Sequence, residues 1–310
     1  TEDASFLKRI LFKFSMYLGD IAVERKLNKN FDDFFAKILL SIGYILSFRT
    51  LRKKLGLQRA EFAASGAAPI APEVLKFFMS IGVPLFEAYG MTENCAYATS
   101  NSPENIKIGT VGIPAHGVEL KLADDGEILI RSGGVFKGYF KDDQATSETI
   151  DKDGWLHTGD VGIYEGDFVK IIDRKRDIII TSGGKNVSPS EIENKIKVSP
   201  FIKEASVIGD RRKFLSVLIG IEFDTVSNWA LRKNIPHTTY RDLSEKQEVK
   251  DLVWKEISKA NELTSSLEVR EFRMIPKELD HEEGELTATQ KVKRNVLIDQ
   301  FSDLIEEMYS

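Results

Sequence analysis

The sequence predicts an α/β chain, with part of a parallel α/β layer and a small β-subdomain followed by a separate C-terminal α/β domain. Three observations carry that prediction. Between residues 61 and 90 a strand, a glycine-containing turn, a helix and a second strand follow one another. From about 108 to 173, short apolar runs are separated by Gly, Asp-Asp-Gly and Gly-Gly, the punctuation of a small β structure. Beyond Asp177, strands and helices alternate again. The charge run Asp173-Arg174-Lys175-Arg176-Asp177 lies between the last two regions and predicts domains over 1–173 and 174–310.

Each element has its own signal. Residues 1–60 read as helices broken near Asn28–Asn30 and at Gly43. Phe6, Leu7, Ile10, Leu11, Phe14, Tyr17 and Leu18 recur at helical spacing and predict a core-facing helix. Residues 34–48 are apolar but carry Lys37 and fall short of the ~20 residues that span a bilayer. Glu61-Phe62-Ala63-Ala64 reads as a strand running into the turn Ser65-Gly66-Ala67-Ala68-Pro69. A helix over 72–81 follows, with Val74, Leu75, Phe77, Phe78 and Ile81 on one face, and then a strand over 83–89 that ends at Gly90. In such a layer ligands sit at the carboxyl ends of the strands. Strands are predicted at Val118–Leu122, Glu127–Arg131 and Phe168–Ile172. The C-terminal region predicts strands at Ile178–Thr181, Ala205–Ile208 and Ser216–Ile221. Its helices fall at Pro189–Lys197, about 225–233 and 246–264.

Composition narrows the class. The 310 residues are 42% hydrophobic and 29% charged, as in ordinary globular domains. The single cysteine, Cys95, excludes an intramolecular disulfide and fits a reducing compartment. Four scattered histidines lack the spacing of a structural zinc site. The net charge of -5 is uneven: residues 1–60 hold 12 Lys/Arg against 6 Asp/Glu. A basic, apolar N-terminal region of this kind suits an anionic membrane surface, so peripheral contact with a membrane is expected there. The opening Thr1-Glu2-Asp3 lacks the basic start of a secretory signal, and a cytoplasmic setting is expected. Nucleic acid is not an expected partner, and no oligomeric state is indicated.

Several groups could carry chemistry. Small residues at Gly66, Ala67 and Ala68 let backbone approach a flat ring. In Tyr89-Gly90-Met91-Thr92-Glu93 the Thr92 hydroxyl can donate to a phosphate oxygen. Glu93 offers the hard oxygen that magnesium takes beside nucleotide phosphates. Locally, the same Thr-Glu pair also suits a helix N-terminus. The carboxylate of Asp160, in Trp155-Leu156-His157-Thr158-Gly159-Asp160, can accept from two adjacent hydroxyls, and the guanidinium of Arg174 offers a planar fork of donors. Ser182-Gly183-Gly184-Lys185-Asn186 is not a Walker loop, because the first glycine and the Ser/Thr after the lysine are both missing.

Taken in order, these motifs resemble the acyl-adenylate-forming enzymes, which include acyl-CoA synthetases, luciferases and peptide-synthetase adenylation domains. The resemblance implies that Gly66, Ala67 and Ala68 lie against adenine and that Tyr89 packs on the base, with Gly90 and Met91 completing the nucleotide loop. It assigns Thr92 to the α-phosphate, Glu93 to Mg2+ and Asp160 to the ribose, with Arg174 reaching ribose or phosphate from the other side. Gly183 and Gly184 would border the coenzyme A channel. Gly284-Glu285-Leu286-Thr287-Ala288-Thr289-Gln290-Lys291-Val292-Lys293-Arg294 is similar to the family's C-terminal lysine motif in its long-chain fatty acyl form. By that likeness Lys291 is the adenylation lysine, with Lys293 its confusable neighbour. The hinge falls at Lys175 or Arg176, where relatives more often carry Asp or Lys. The expected activity is a fatty acid–CoA ligase using ATP, Mg2+ and coenzyme A. Transfer to a carrier protein, or a nucleotide- or membrane-binding piece without turnover, are the competing readings. The family's upstream phosphate loop has no counterpart here, so the chain resembles the C-terminal half of a synthetase, and alone it is expected to be inactive.

Overall fold

The computed structural model describes residues 5–28, 33–264, 268–287 and 292–310. Lys291 and the Ala288–Gln290 part of its motif lie outside the described residues. The chain divides into two compact units, residues 1–172 and 173–310.

In the first unit α1 (Phe6–Asn28) packs along α2 (Phe34–Gly43). Asp33 caps α2, accepting from the Ala36 N–H at 2.8 Å, while Arg25 grips the same carboxylate at 2.9 and 3.0 Å. Two expectations fail in this region. Gly43 does not break the helix: the chain continues through one π-helical turn, Tyr44–Phe48, into α3 (Arg49–Lys54). Gly43 is required for close approach, since a Cβ there would sit 2.4 Å from the buried Phe48 ring. The rod from Phe34 to Lys54 is therefore 21 residues, long and apolar enough to cross a membrane. Nor is the α1 stripe core-facing, because Phe6, Leu7, Ile10, Phe14 and Tyr17 are exposed. Of the stripe only Leu18 is buried; the side that packs is offset from the rest and adds Ser15, Gly19, Ala22 and Val23, because small residues allow close helix contact.

The α/β layer follows. Strand β1 (Ala63–Ser65), helix α4 (Pro72–Ser80) and strand β2 (Leu85–Tyr89) form a β-α-β unit in which β1 and β2 pair in parallel, Ser65 opposite Glu87. Strands β3 (Thr99–Ser100) and β4 (Ile113–Pro114) extend that sheet antiparallel. A second four-stranded sheet runs in chain order through β5 (Val118–Leu122), β6 (Glu127–Ser132), β7 (Leu156–Glu165) and β8 (Phe168–Arg174), with helix α5 (Asp143–Thr149) between β6 and β7. Ile128, Ile130, Leu156 and Val169 fill its core together with Tyr89 and Ala98.

In the second unit, the hairpin of β9 (Ile179–Ile180) and β10 (Asn186–Val187) leads into α6 (Pro189–Ile196). A three-stranded sheet then pairs β11 (Ile202–Ile208) antiparallel to β12 (Leu215–Ile221), and β12 parallel to β13 (Val269–Met274). The parallel crossover contains α7 (Phe223–Arg232), α8 (Tyr240–Glu245) and α9 (Gln247–Glu262). All seven residues of β12 are buried, as a central strand covered on both faces requires. Two short helices, α10 (Arg294–Gln300) and α11 (Ser302–Glu307), close the chain over Ile208, Leu218 and Ile275.

Candidate active site

The parallel pair β1–β2 sets the site. The stretch Gly66-Ala67-Ala68 leaves the carboxyl end of β1, with Ala67 in the left-handed region at φ 67°. The stretch Gly90-Met91-Thr92-Glu93 leaves the same end of β2. The two predicted loops thus emerge side by side from adjacent strands. Gly90 permits the exit: a Cβ there would lie 2.3 Å from the Ala96 carbonyl carbon. Thr92–Asn94 form a single 3-10 turn rather than the start of an α-helix, and Cys95 and Ala96 then follow at φ 56° and 55°. That reversal leaves Thr92 exposed and Glu93 half-buried.

Two side-chain hydrogen bonds tie this loop to distant segments. The Tyr89 hydroxyl donates to Asp160 Oδ2 at 2.5 Å, and both residues are buried. Sequence reasoning gave Tyr89 to a nucleotide base; the structure encloses its ring in the β-subdomain core and commits its hydroxyl to the carboxylate assigned to ribose. The second bond runs from the Tyr139 hydroxyl to Glu93 Oε1 at 2.9 Å, with the Phe136 N–H donating to the Glu93 carbonyl at 2.8 Å. Desolvation, and then the bond to Glu93, raise the Tyr139 phenol above its ordinary value. Tyr139 is not among the residues the sequence singled out; its ring packs edge-on against Phe136 with centroids 4.9 Å apart.

The structure adds Glu87, which sequence reasoning passed over as a strand residue. It is 9% exposed, and its Oε2 finds no hydrogen-bond partner among the described residues. Burial pushes its carboxyl up to about 7, against the opposing Gly109 N–H.

Arg174, Lys175, Arg176, Gly183 and Gly184 belong to the second unit. Arg174, Lys175 and Arg176 are exposed at the end of β8 and in the turn after it. Gly183 and Gly184 form the tip of the β9–β10 hairpin, closed by Gly184 N–H to Thr181 carbonyl at 2.8 Å. The charge run begins on a buried anchor. Asp173, 6% exposed, accepts from the Arg174 N–H, Ser188 Oγ, Ser190 N–H and Ser190 Oγ at 2.7–3.0 Å, and so caps α6. Leu286 and Val292 form an antiparallel β-bridge, and the Lys293 N–H donates to the Glu285 carbonyl at 2.8 Å.

Among the described residues no group of three or more His, Cys, Asp or Glu side chains is arranged to hold a metal. Glu93 is a lone, hydrogen-bonded carboxylate beside a Thr hydroxyl. That donor set fits a magnesium ion that keeps most of its shell as phosphate and water.

The profile of the AMP-binding enzyme family matches residues 28–140, and that of the AMP-binding enzyme C-terminal domain matches 176–310. The long-chain-fatty-acid–CoA ligase FadD15 of Mycobacterium bovis is 37% identical over 268 residues, covering 86% of this chain and 44% of that protein. The A domain of carboxylic acid reductase from Segniliparus rugosus, in complex with AMP and a co-purified carboxylic acid, shares the fold. Its TM-score is 0.66 at 21% identity, over 97% of this chain and 46% of that one. O-succinylbenzoate coenzyme A synthetase of Bacillus subtilis, in complex with ATP and magnesium ion, gives 0.56 at 26% identity, over 80% of this chain and 49% of that one. The chain thus spans less than half the length of these relatives. With the main-domain profile in its first unit and the C-terminal-domain profile in its second, it belongs to the AMP-binding enzyme family.

Proposed function

We propose that the protein to which these residues belong is a long-chain fatty acid–CoA ligase. It joins a fatty acid to ATP as acyl-adenylate with loss of pyrophosphate, then transfers the acyl group to coenzyme A with release of AMP. The observation that carries the reading is the Tyr89–Asp160 hydrogen bond, which unites two motifs 71 residues apart. Thr92 serves the α-phosphate, Glu93 holds Mg2+, Asp160 holds the ribose, Arg174 reaches ribose or phosphate, and the Gly66–Ala68 backbone lies against adenine. The ATP and magnesium ion of the Bacillus synthetase support this assignment of cofactors. Lys291 stabilises charge at the adenylation transition state.

The second unit moves between the two steps about Lys175 or Arg176, so that Lys291 and Gly183-Gly184 serve one acyl carbon at different times. The division of the chain near Asp173 supports a pivot in this stretch. A cytoplasmic setting at the inner face of a membrane suits a substrate that partitions into bilayers.

The test separates the half-reactions. In the full-length protein Lys291→Ala should lower ATP–pyrophosphate exchange by roughly 10²–10³-fold. It should leave thioester formation from supplied acyl-adenylate near wild type. Equal loss of both, or a larger effect from Lys293→Ala, sinks the assignment. The 310-residue chain alone should form no acyl-CoA.

A further inference from the structure

The lysine motif is flanked, inside the second unit, by two enclosed carboxylates that neither half-reaction uses. Glu285 stands at the start of the motif and is fully buried. Its Oε2 accepts from the Asp280 N–H at 2.8 Å, and its Oε1 lies 2.7 Å from Lys277 Nζ. Arg294 ends the motif, and its guanidinium binds inside the domain. Nη1 donates to the Val207 carbonyl at 2.7 Å, and Nη2 lies 2.7 Å from Oε1 of Glu193 on α6. The same Glu193 oxygen accepts from the Val207 N–H at 2.7 Å, and the Glu193 side chain is only 14% exposed. Strand β11 is an edge strand, so the outward N–H and carbonyl of Val207 need partners; Glu193 and Arg294 supply both. Burial raises the Glu193 carboxyl, and the Arg294 charge opposes that rise. Between the two anchors Leu286 bridges Val292, and the Lys293 N–H donates to the Glu285 carbonyl.

We propose that Glu193 and Glu285 are positioning residues for Lys291, holding the two ends of its segment on the second unit through Arg294 and Lys277. An ammonium on a flexible four-carbon stem serves a transition state only if its backbone is fixed, since misplacement by about 1 Å can cost on the order of 10²-fold in rate. One anchor ties the start of the segment to the turn that begins at Lys277. The other ties its end to the sheet edge and to α6. All these groups lie within the second unit, so a pivot at Lys175 or Arg176 leaves both anchors intact. Their effect is therefore confined to the step that uses Lys291. This role rests on the ligase reading, which gives Lys291 its task.

The experiment uses the full-length protein, with Glu193→Gln and Glu285→Gln made alone and in the Lys291→Ala background, each assayed below its own melting transition. At saturating substrates ATP–pyrophosphate exchange should fall roughly 10–100-fold in either single variant, with the KM for ATP near wild type. Thioester formation from supplied acyl-adenylate should also stay near wild type. In the Lys291→Ala background neither substitution should lower exchange further, because the group they place is gone. Arg294→Lys keeps the charge but cannot serve Val207 and Glu193 together; it should repeat the Glu193→Gln pattern, and it carries the test if that variant fails to fold. Equal loss in the two half-reactions, a further loss on top of Lys291→Ala, or full exchange activity in either folded variant overturns the proposal and leaves the ligase reading standing. A wild-type protein without fatty-acid-dependent exchange overturns that reading, and the proposal with it.

Discussion

Replacing Glu87 with glutamine should remove a pH dependence from the stability of the first unit. Glu87 lies on β2, 9% exposed, with Oε2 unpartnered among the described residues, and desolvation pushes its carboxyl from 4.5 up to about 7. In the unfolded chain the group returns to its ordinary value. Between the two values the folded form keeps a proton that the unfolded form has released, so stability falls as pH rises through this window. The contribution is fully present only below the unfolded value. Over about 2.5 units, at ~1.4 kcal/mol per unit, the loss is roughly 3 kcal/mol. Glutamine keeps the volume and an acceptor for Gly109 but does not titrate. Urea unfolding should be followed by Trp155, with Trp229 and Trp254 replaced by phenylalanine so that the signal comes from the first unit alone. The wild-type advantage over Glu87→Gln should shrink by about 3 kcal/mol between pH 4.5 and 7.5. A difference that stays flat across that range would refute the reasoning and mean that Glu87 is ionised throughout.

Other substitutions probe the loop and the anchor. Tyr89→Phe removes the donor to buried Asp160 and should cost about 1–3 kcal/mol in urea unfolding while weakening nucleotide binding. In the full-length protein, Tyr139→Phe should raise the Mg2+ concentration for half-maximal adenylate formation by on the order of tenfold, with kcat at saturating Mg2+ near wild type, because the hydroxyl orients Glu93. Gly90→Ala forces the turn at Ala96 to move and should cost roughly 2 kcal/mol, read as a lowered Tm. Asp173→Asn replaces an acceptor of Ser188 and Ser190 with a donor, and should destabilise the second unit by about 1–3 kcal/mol, read through Trp229 and Trp254.

The elements most legible in the sequence were those where period, length and punctuation agree. Val118–Leu122 and Phe168–Ile172 alternate between glycine or aspartate turns, and both are strands. Pro189 preceded by Ser188 announced the start of α6, and the serine does cap it, accepting from the Glu191 N–H. Helix α5 escaped notice because Asp143–Thr149 is polar all round and carries no apolar period. Strand β7 was read only as a motif, since two glycines interrupt its ten residues. Periodicity identified α1 but not its inward side, because an apolar stripe tells which face is greasy and not what covers it. The individual site residues could be named from motif order. Their coupling could not, because Tyr89–Asp160 and Glu93–Tyr139 join residues 71 and 46 positions apart, and each partner alone is an ordinary aromatic or acid.

The π-turn at Tyr44–Phe48 makes the rod sensitive to chain length as well as to chemistry. Such a turn holds one residue more than the α-helical path needs, so downstream side chains are advanced by about 100° around the axis. Arg52 uses that phase to reach the Leu57, Ala60 and Gly82 carbonyls and to lie over the Tyr44 ring. Deleting a single residue from this turn would let the rod relax into regular α-helix, swing Arg52 off its carbonyls and turn Lys53 and Lys54 to a new bearing. An indel here would therefore act as a rotation, changing which side chains face outward although every residue beyond it is unchanged.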